Sequence, residues 1–392
     1  MKLKKFASLF LATSLLTGIL AGCSGGEEGS SSDGGDTIKI GANLELSGAV
    51  ASYGSSEADA IELAVEEINA DGGIDGKQIE LIKVDNKSDA AEATSAAIKL
   101  VSQDKVTAII GAATSGNSVA QVQIATDNKT PMISPSGTST TVTVAENGKV
   151  NPFTFRTAFI DPFQGTVAAN FAANELKVKN AAVFADNASD YAKGLAESFI
   201  KDFEAAGGTI VAEESYVAKD TDFRSTLTRI KASNPEFIFI PGYYEEVGLI
   251  VKQARELGIT VPLMGADGWD SPTIVDLAGA DALNNTFIIT AYSAEDPDGK
   301  AKAFADKFTE KYGEAPNSFH ALGYDTVYLL KDAIERAGSL DGTKIKEAIE
   351  ATDNLELVTG LYSVDEFHHP IKSATIIEFV NGEQVFNTKV NP

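Results

Sequence analysis

Histidine is the side chain best suited to proton transfer near neutral pH, and this chain carries it at only three positions, His320, His368 and His369. No G-x-S-x-G nucleophile turn accompanies them, so a Ser-His-Asp hydrolase lacks its parts. His368 and His369, with Asp365 and Glu366 nearby and Pro370 after them, could be drawn as a metal site. Adjacent side chains on extended backbone point apart, however, and the pair reads as a solvated turn. The run DGGIDGKQ (Asp71 to Gln78) resembles a phosphate loop only superficially. Its first glycine is missing at the required spacing and Gln78 replaces the Ser or Thr, so it reads as a turn between helix and strand. No catalyst, metal or cofactor is expected.

Apolar runs that end in small polar residues are more informative. VTAIIG runs into AATSGNS, which places Thr114, Ser115 and Gly116 where a helix begins. Free backbone N–H groups and the helix dipole favour an anion there, although a plain cap by Ser115 or Asn117 accounts for the same residues. PMIS runs into PSGTST, presenting Ser136, Gly137 and Thr138 beside the first cluster if the two strands are neighbours. Further on, FIFI leads to PGYYEEVG with Tyr243 and Tyr244, and VPLMG leads to ADGWDSP with Asp267, Trp269 and Asp270. A carboxylate at the mouth of an apolar strand is costly to desolvate unless a cation meets it. Asp267 therefore reads either as a turn or N-cap residue or as the receiver of a ligand ammonium. Anion donors on one side, with a carboxylate and tyrosine rings on the other, describe a zwitterion held between them.

The elements that must position these residues alternate regularly. IKIGANL (Ile38 to Leu44) is a strand, and SEADAIELAVEEINADGG (Ser56 to Gly73) is a helix with Ala60, Leu63, Ala64 and Ile68 on one face and a glycine stop. QIELIKVD, TSAAIKLVSQD and VTAIIGA repeat the unit. A second series follows TFRTAFID (Thr154 to Asp161), from NAAVFAD to VPLMGA. This alternation predicts parallel sheets with right-handed crossovers in two α/β lobes, and open sheets of this kind place ligands at the C-terminal ends of their strands. After about Asn285 come FIITAYSA, two more helices, and the strand-like YSVDEF and ATIIEFV. A chain that returns to the first lobe and then to the second crosses between lobes three times.

The first 23 residues, MKLKKFASLFLATSLLTGILAGC, have a basic start at Lys2, Lys4 and Lys5, an uncharged apolar run, and LAGC at the end. They look like a lipoprotein signal over residues 1–22, with Cys23 as the lipidated N-terminus of the mature chain. The Gly/Ser/acid segment over residues 23–36 reads as a flexible leash. No other run approaches the ~20 apolar residues of a spanning helix. The expected location is therefore extracytoplasmic, lipid-anchored to the outer face of the cell membrane, of the Gram-positive type. Cys23 is the sole cysteine, so no disulfide or Cys-ligated metal is available. The 56 acidic against 32 basic residues, net charge −24, repel nucleic acid and anionic lipid head groups. The mature length exceeds the ~250–300 residues that one core serves, which again predicts two domains.

Taken in order, IKIGANLELSGAVASYG, AVEEINADGGIDGKQIEL, IIGAATSG, PMISPSGTST, FRTAFIDPFQG, DNASDYAKGLA, PGYYEEVGLIVKQARELGI, MGADGWDSP, HALGYDTVYLL and VTGLYSVDE resemble the leucine/isoleucine/valine-binding proteins that feed ABC importers. The resemblance runs over nearly all of Ile38 to Val380. It implies a two-lobed type I periplasmic-binding-protein fold, α/β, with parallel sheets flanked by helices and three interlobe crossovers. The N-terminal lobe would comprise residues 37–157 plus 290–361, and the C-terminal lobe 158–289 plus 362–392. By motif, Ser115 and Thr138 would bind the ligand α-carboxylate, and the Ser136 carbonyl and Asp267 its ammonium. Tyr53, Tyr191 and one of Tyr243 or Tyr244 would wall the side-chain pocket. The partners implied are a small amino acid, an ABC permease and, through the lipid, a membrane, with the protein a monomer. Asp267 stands where many relatives carry Glu, SPSGT replaces the commoner Ala-Thr form, and DEFHHP replaces a Gly-containing turn. An amino-acid sensor of the same fold, or a binder of another small amino acid such as alanine, has the same features. A DNA-binding regulator would need a basic headpiece where this chain has its signal.

Overall fold

In the computed structural model, residues 37–296 and 300–391 are described; the signal, Cys23 and the leash read from the sequence lie outside them. Five short strands form the first sheet: β1 (Thr37–Leu44), β2 (Gln78–Asp85), β3 (Ala108–Gly111), β4 (Met132–Ser134) and β5 (Thr154–Arg156). They pair in the order β2-β1-β3-β4-β5, all parallel. β3, β4 and β5 are buried throughout because helices cover both faces of the sheet, whereas the edge strand β2 alternates buried Ile79 with exposed Gln78 and Glu80. Ile38, Ile40, Ala42 and Leu44 of β1 are all buried, and the helix Ala51–Ala70 lays Ile61, Leu63, Ala64 and Ile68 against them.

The second sheet takes β6 (Asn180–Asp186), β7 (Thr209–Tyr216), β8 (Phe237–Phe239), β9 (Leu263–Gly265) and β10 (Thr286–Thr290). The chain then leaves it. Helices Lys300–Tyr312, Ser318–Ala337 and Gly342–Glu350, and the hairpin of β11 (Leu355–Leu357) and β12 (Gly360–Tyr362), pack into the core of the first lobe through Phe304, Phe308, Val327, Leu330, Ile349 and Tyr362. β13 (Ala374–Val380) and β14 (Glu383–Val390) return to the second sheet, whose order is β14-β13-β10-β9-β8-β6-β7. Three crossings between the lobes result, after β5, after β10 and after β12. Among the described residues no helix is long and apolar enough to cross a membrane.

Three expectations are corrected here. The second sheet is mixed: β13 pairs antiparallel with β10 and with β14. Asn381 and Gly382, both at positive φ, close a two-residue hairpin turn between β13 and β14, and such a turn joins antiparallel strands only. YSVDEF is strand only as far as Tyr362. His368 is not on a solvated turn. It is 3% exposed, stacks on Phe155 with ring centroids 4.2 Å apart, and bonds through its ring nitrogens to the Thr154 carbonyl (2.9 Å) and Glu350 (3.1 Å). His320 is also internal, reaching back to cap its own helix with Asn317; burial lowers its pKa to about 3.

Candidate functional site

β3 and β4 are neighbours, so the two polar loops that follow them lie side by side. They are stitched together: the Ser136 hydroxyl donates to the Ala113 carbonyl (2.9 Å), and the Ser139 N–H donates to Ser115 Oγ (3.0 Å). Ser115, Ser136 and Thr138 are all buried and line one small cavity. The helix that Ser115 opens is only five residues long, Ser115–Val119, and no side chain caps it. Its macrodipole is therefore slight, and what it offers an anion is the unpaired N–H groups of its first turn. Beneath this loop lies Glu45, fully buried, which sequence reasoning passed over. Its carboxylate accepts from the Ala113 N–H (2.9 Å), the Thr114 N–H (3.0 Å), the Thr114 hydroxyl (2.7 Å) and the Asn117 amide (2.9 Å).

Across the cleft, Asp267 opens a single 3₁₀ turn, Asp267–Trp269, but its side chain does not cap that turn. Instead Oδ1 accepts from Gln164 Nε2 (2.8 Å) and from the Tyr191 hydroxyl (2.8 Å), and the Asp267 N–H donates to Gln164 Oε1 (3.1 Å). With Oδ1 so engaged, Oδ2 is the oxygen left for a cation. Burial raises the Asp267 pKa to about 6, the bonds from Gln164 and Tyr191 holding it lower than burial alone would. Burial also pushes the Tyr191, Tyr53 and Tyr243 phenols well above their usual range, so all three are neutral donors at any physiological pH.

The aromatic wall is assembled from both lobes. Tyr53 stacks on Phe319 (centroids 4.2 Å, 14°), Tyr191 stacks on Tyr243 (5.1 Å, 9°), and Tyr53 meets Tyr243 edge-on at 5.8 Å. Phe319, at the start of the helix Ser318–Ala337, is a wall residue that the sequence reading missed. Tyr244 does not line the cavity. It begins the helix Tyr244–Glu256 while Tyr243 stands in extended backbone before it, so the two rings diverge. The Tyr244 hydroxyl donates to the Ala49 carbonyl (3.1 Å), and its ring meets the back of Tyr53 edge-on. The lobes touch directly here, through Tyr53 and the Gly268 carbonyl and through Ser52 Oγ and Ser271 Oγ (2.7 Å).

The cavity enclosed by these groups measures about 10 Å³, room for about one water, so admission of any larger molecule requires that the lobes part. Larger grooves of about 810 and 1020 Å³ lie over β13 and β14 and beside the second and third crossings, away from these converging polar groups. Among the described residues no three His, Cys, Asp or Glu side chains converge as metal ligands.

Two α/β lobes joined by three crossings, closed over a buried carboxylate and an aromatic wall, have the architecture of a two-lobed binding protein. The profile described as Periplasmic binding protein matches residues 37–384, and the chain belongs to that family. It is 33% identical over 331 residues to the leucine-, isoleucine-, valine-, threonine-, and alanine-binding protein of Pseudomonas aeruginosa, covering 84% of this chain and 86% of that one. Among solved structures it is similar to the branched-chain amino acid transporter substrate binding protein LivJ of Streptococcus pneumoniae in complex with isoleucine (43% identity, TM-score 0.86, 91% of this chain and 100% of that one). It is also similar to the leucine binding protein LivK of Thermotoga maritima (37% identity, TM-score 0.85, 91% and 99%).

Proposed function

We propose that this protein captures a branched-chain amino acid between its lobes and delivers it to the permease of an ABC importer. One observation carries the reading: Asp267 of the second lobe presents a free oxygen to a cavity whose opposite wall holds Ser115, Ser136 and Thr138 of the first. In this reading Ser115 and Thr138 receive the α-carboxylate, and Asp267 with the Ser136 carbonyl receives the ammonium. Tyr53, Tyr191, Tyr243 and Phe319 enclose the side chain, while Tyr244 holds Tyr53. The relatives named above support the choice of ligand, and the protein is read as a carrier rather than an enzyme. Calorimetric titration of ligand-stripped protein tests it. Each buried CH₂ contributes about 0.8 kcal/mol, so the three carbons that separate leucine from alanine should favour leucine by ~2.4 kcal/mol, roughly 60-fold. Alanine or glutamate binding as tightly as leucine, isoleucine and valine would overturn the branched-chain assignment.

An ammonium needs the ionised form of Asp267, so binding should be coupled to its titration. With burial in the closed cleft raising the Asp267 pKa to about 6, leucine affinity is expected to be level above pH 7 and to fall through pH 6. By pH 5 the loss should reach about tenfold, since proton linkage costs a factor of ten per pH unit below the pKa. The ligand α-carboxyl, held well below the usual carboxylate range by the ammonium beside it, stays ionised throughout. An affinity unchanged between pH 7.5 and pH 5 would count against an Asp267–ammonium contact.

Residues 1–22 are proposed as a lipoprotein signal and Cys23 as the anchor, with residues 24–36 as the leash to the outer face of the membrane. Cys23→Ala is expected to abolish incorporation of a labelled lipid precursor and to release the protein into the medium or leave it unprocessed. Undiminished labelling of that variant excludes Cys23 as the acceptor.

A further inference from the structure

We propose that the first crossing between the lobes, residues 156–164, positions both poles of the ligand: Arg156 sets the loop that receives the carboxylate, and Gln164 sets the side chain that receives the ammonium. The inference rests on the zwitterion reading above, and neither residue is assigned ligand contact by it. Both lie in FRTAFIDPFQG and both are fully buried.

Arg156 ends β5, and its guanidinium reaches under the loop after β4. Nη1 donates to the Gly137 carbonyl (2.7 Å), and Nη2 donates to the Ser139 carbonyl (2.7 Å) and to Thr143 Oγ1 (3.1 Å). These carbonyls bracket Thr138. In a trans peptide the N–H points opposite to the preceding carbonyl, so pinning Gly137 O to the guanidinium turns the Thr138 N–H away from it. That N–H has no partner among the described residues. The next carbonyl, of Thr138 itself, accepts from the Asp161 N–H (3.0 Å), again from the crossing. A buried cation spent on backbone carbonyls, not on a carboxylate in direct contact, marks a loop whose conformation matters.

Eight residues on, Gln164 sits in the helix Asp161–Asn170 of the second lobe and grips Asp267 at two points, Oδ1 and the backbone N–H. These two hydrogen bonds fix the Asp267 rotamer and reserve Oδ2 for the ligand. Each pole is thus oriented within its own lobe by one end of a single segment, and closure brings two preformed half-sites together without remodelling either. Preorganisation of that kind lowers the ordering cost of binding. If the two residues served packing alone, their loss would weaken every ligand to the same degree.

Three ligands separate these accounts: leucine, leucinol, which lacks the carboxylate, and 2-hydroxy-4-methylpentanoate, which lacks the ammonium. Gln164→Leu is expected to weaken leucine and leucinol by about 10- to 100-fold and the hydroxy acid by no more than about twofold, as the loss of hydrogen bonds to a charged group implies. Arg156→Lys, which keeps the charge but reaches one carbonyl, should weaken leucine and the hydroxy acid about tenfold and leave leucinol within about twofold. Thr143→Val, which removes one acceptor of the guanidinium at nearly constant volume, should shift the same pair of ligands about two- to fivefold. It provides the reading if Arg156→Lys does not fold.

A second readout is pH. Gln164→Leu removes a donor from Asp267 and should raise the pH below which leucine binding fails, whereas Arg156→Lys should not move it. The other groups that act on Asp267 are Asp270 on its own turn, Asp161, and the Tyr53, Tyr191 and Tyr243 phenols, and none is altered in either variant. Equal losses for all three ligands with unmoved pH profiles would overturn the inference alone. Absence of leucine binding in the wild type would overturn the functional reading and the inference with it.

Discussion

Asp267→Asn is expected to abolish amino-acid binding at concentrations that saturate the wild type, while the fold stays intact. The asparagine carbonyl can still accept from Gln164 and Tyr191, so the local network survives. Its NH₂ group, however, takes the place of Oδ2 and meets the ligand ammonium donor to donor. Truncating one partner of a desolvated charge pair costs about 2–5 kcal/mol, or roughly 30-fold to several-thousand-fold in affinity. Asp267→Ala should lose as much and also leave the Gln164 amide unpaired. The loss should be specific to the ammonium: the 2-hydroxy analogue of leucine, poor in the wild type, should lose little more in either variant, which completes a double-mutant cycle. Calorimetry of both ligands with both proteins, alongside thermal unfolding, decides it. Wild-type affinity for leucine in Asp267→Asn would remove Asp267 from the site.

Why Asp267 was visible in the sequence, and Gln164 was not, is a matter of range. A carboxylate directly after an apolar strand is a local anomaly, and the clusters around Ser115 and Thr138 are local in the same way. Helix and strand alternation is also local, so the two lobes and their order could be read along the chain. The partners that give these residues their roles are distant: Gln164 lies 103 positions from Asp267. Glu45 lies 68 and 69 positions from the N–H groups it binds. Neighbouring tyrosines cannot be told apart by type, and only the break between extended Tyr243 and helical Tyr244 separates pocket wall from support. His368 looks like a turn residue because its neighbours are polar, and its burial comes from stacking on Phe155 more than two hundred residues earlier. One signal was local and overlooked. Asn-Gly between EFV and EQVF is a strong hairpin mark, and it foretold the antiparallel edge.

The interlobe contacts bear on how the site opens. Ser52 with Ser271, Tyr53 with the Gly268 carbonyl, and Tyr244 with the Ala49 carbonyl all join one lobe directly to the other. A ligand shifts such an equilibrium only by its differential affinity for the closed form, and in the proposed reading the two poles supply that difference because each belongs to a different lobe. Gly268, whose carbonyl accepts from Tyr53, is itself closely packed within the second lobe. A Cβ there would lie 2.7 Å from the Gly242 carbonyl oxygen and 2.8 Å from the Tyr191 hydroxyl, the group that steadies Asp267.

The largest loss of stability from a single side chain of the site is expected at Glu45. Its carboxylate is the acceptor for two backbone N–H groups, a hydroxyl and an amide, and all four donors are buried with it. Glu45→Leu supplies similar bulk and no acceptor, so these donors would be left unsatisfied at about 1–3 kcal/mol each, with the sum limited by relaxation of the loop. We expect a loss of ~3–5 kcal/mol, a large part of the usual ~5–15 kcal/mol total. Glu45→Gln should cost less, ~1–2 kcal/mol, because one oxygen still serves the Thr114 and Asn117 donors while the amide faces only the Ala113 N–H. Since Ser115 follows Thr114 directly, the Leu variant should also bind leucine more weakly, and saturating leucine should recover part of its stability by mass action. Urea unfolding with and without leucine checks this, the midpoint falling in the order wild type, Gln, Leu with the slope unchanged. A Leu variant within about 1 kcal/mol of wild type would mean that the Ala113–Thr114 loop holds its shape without Glu45, and the anion side of the site would need another organiser.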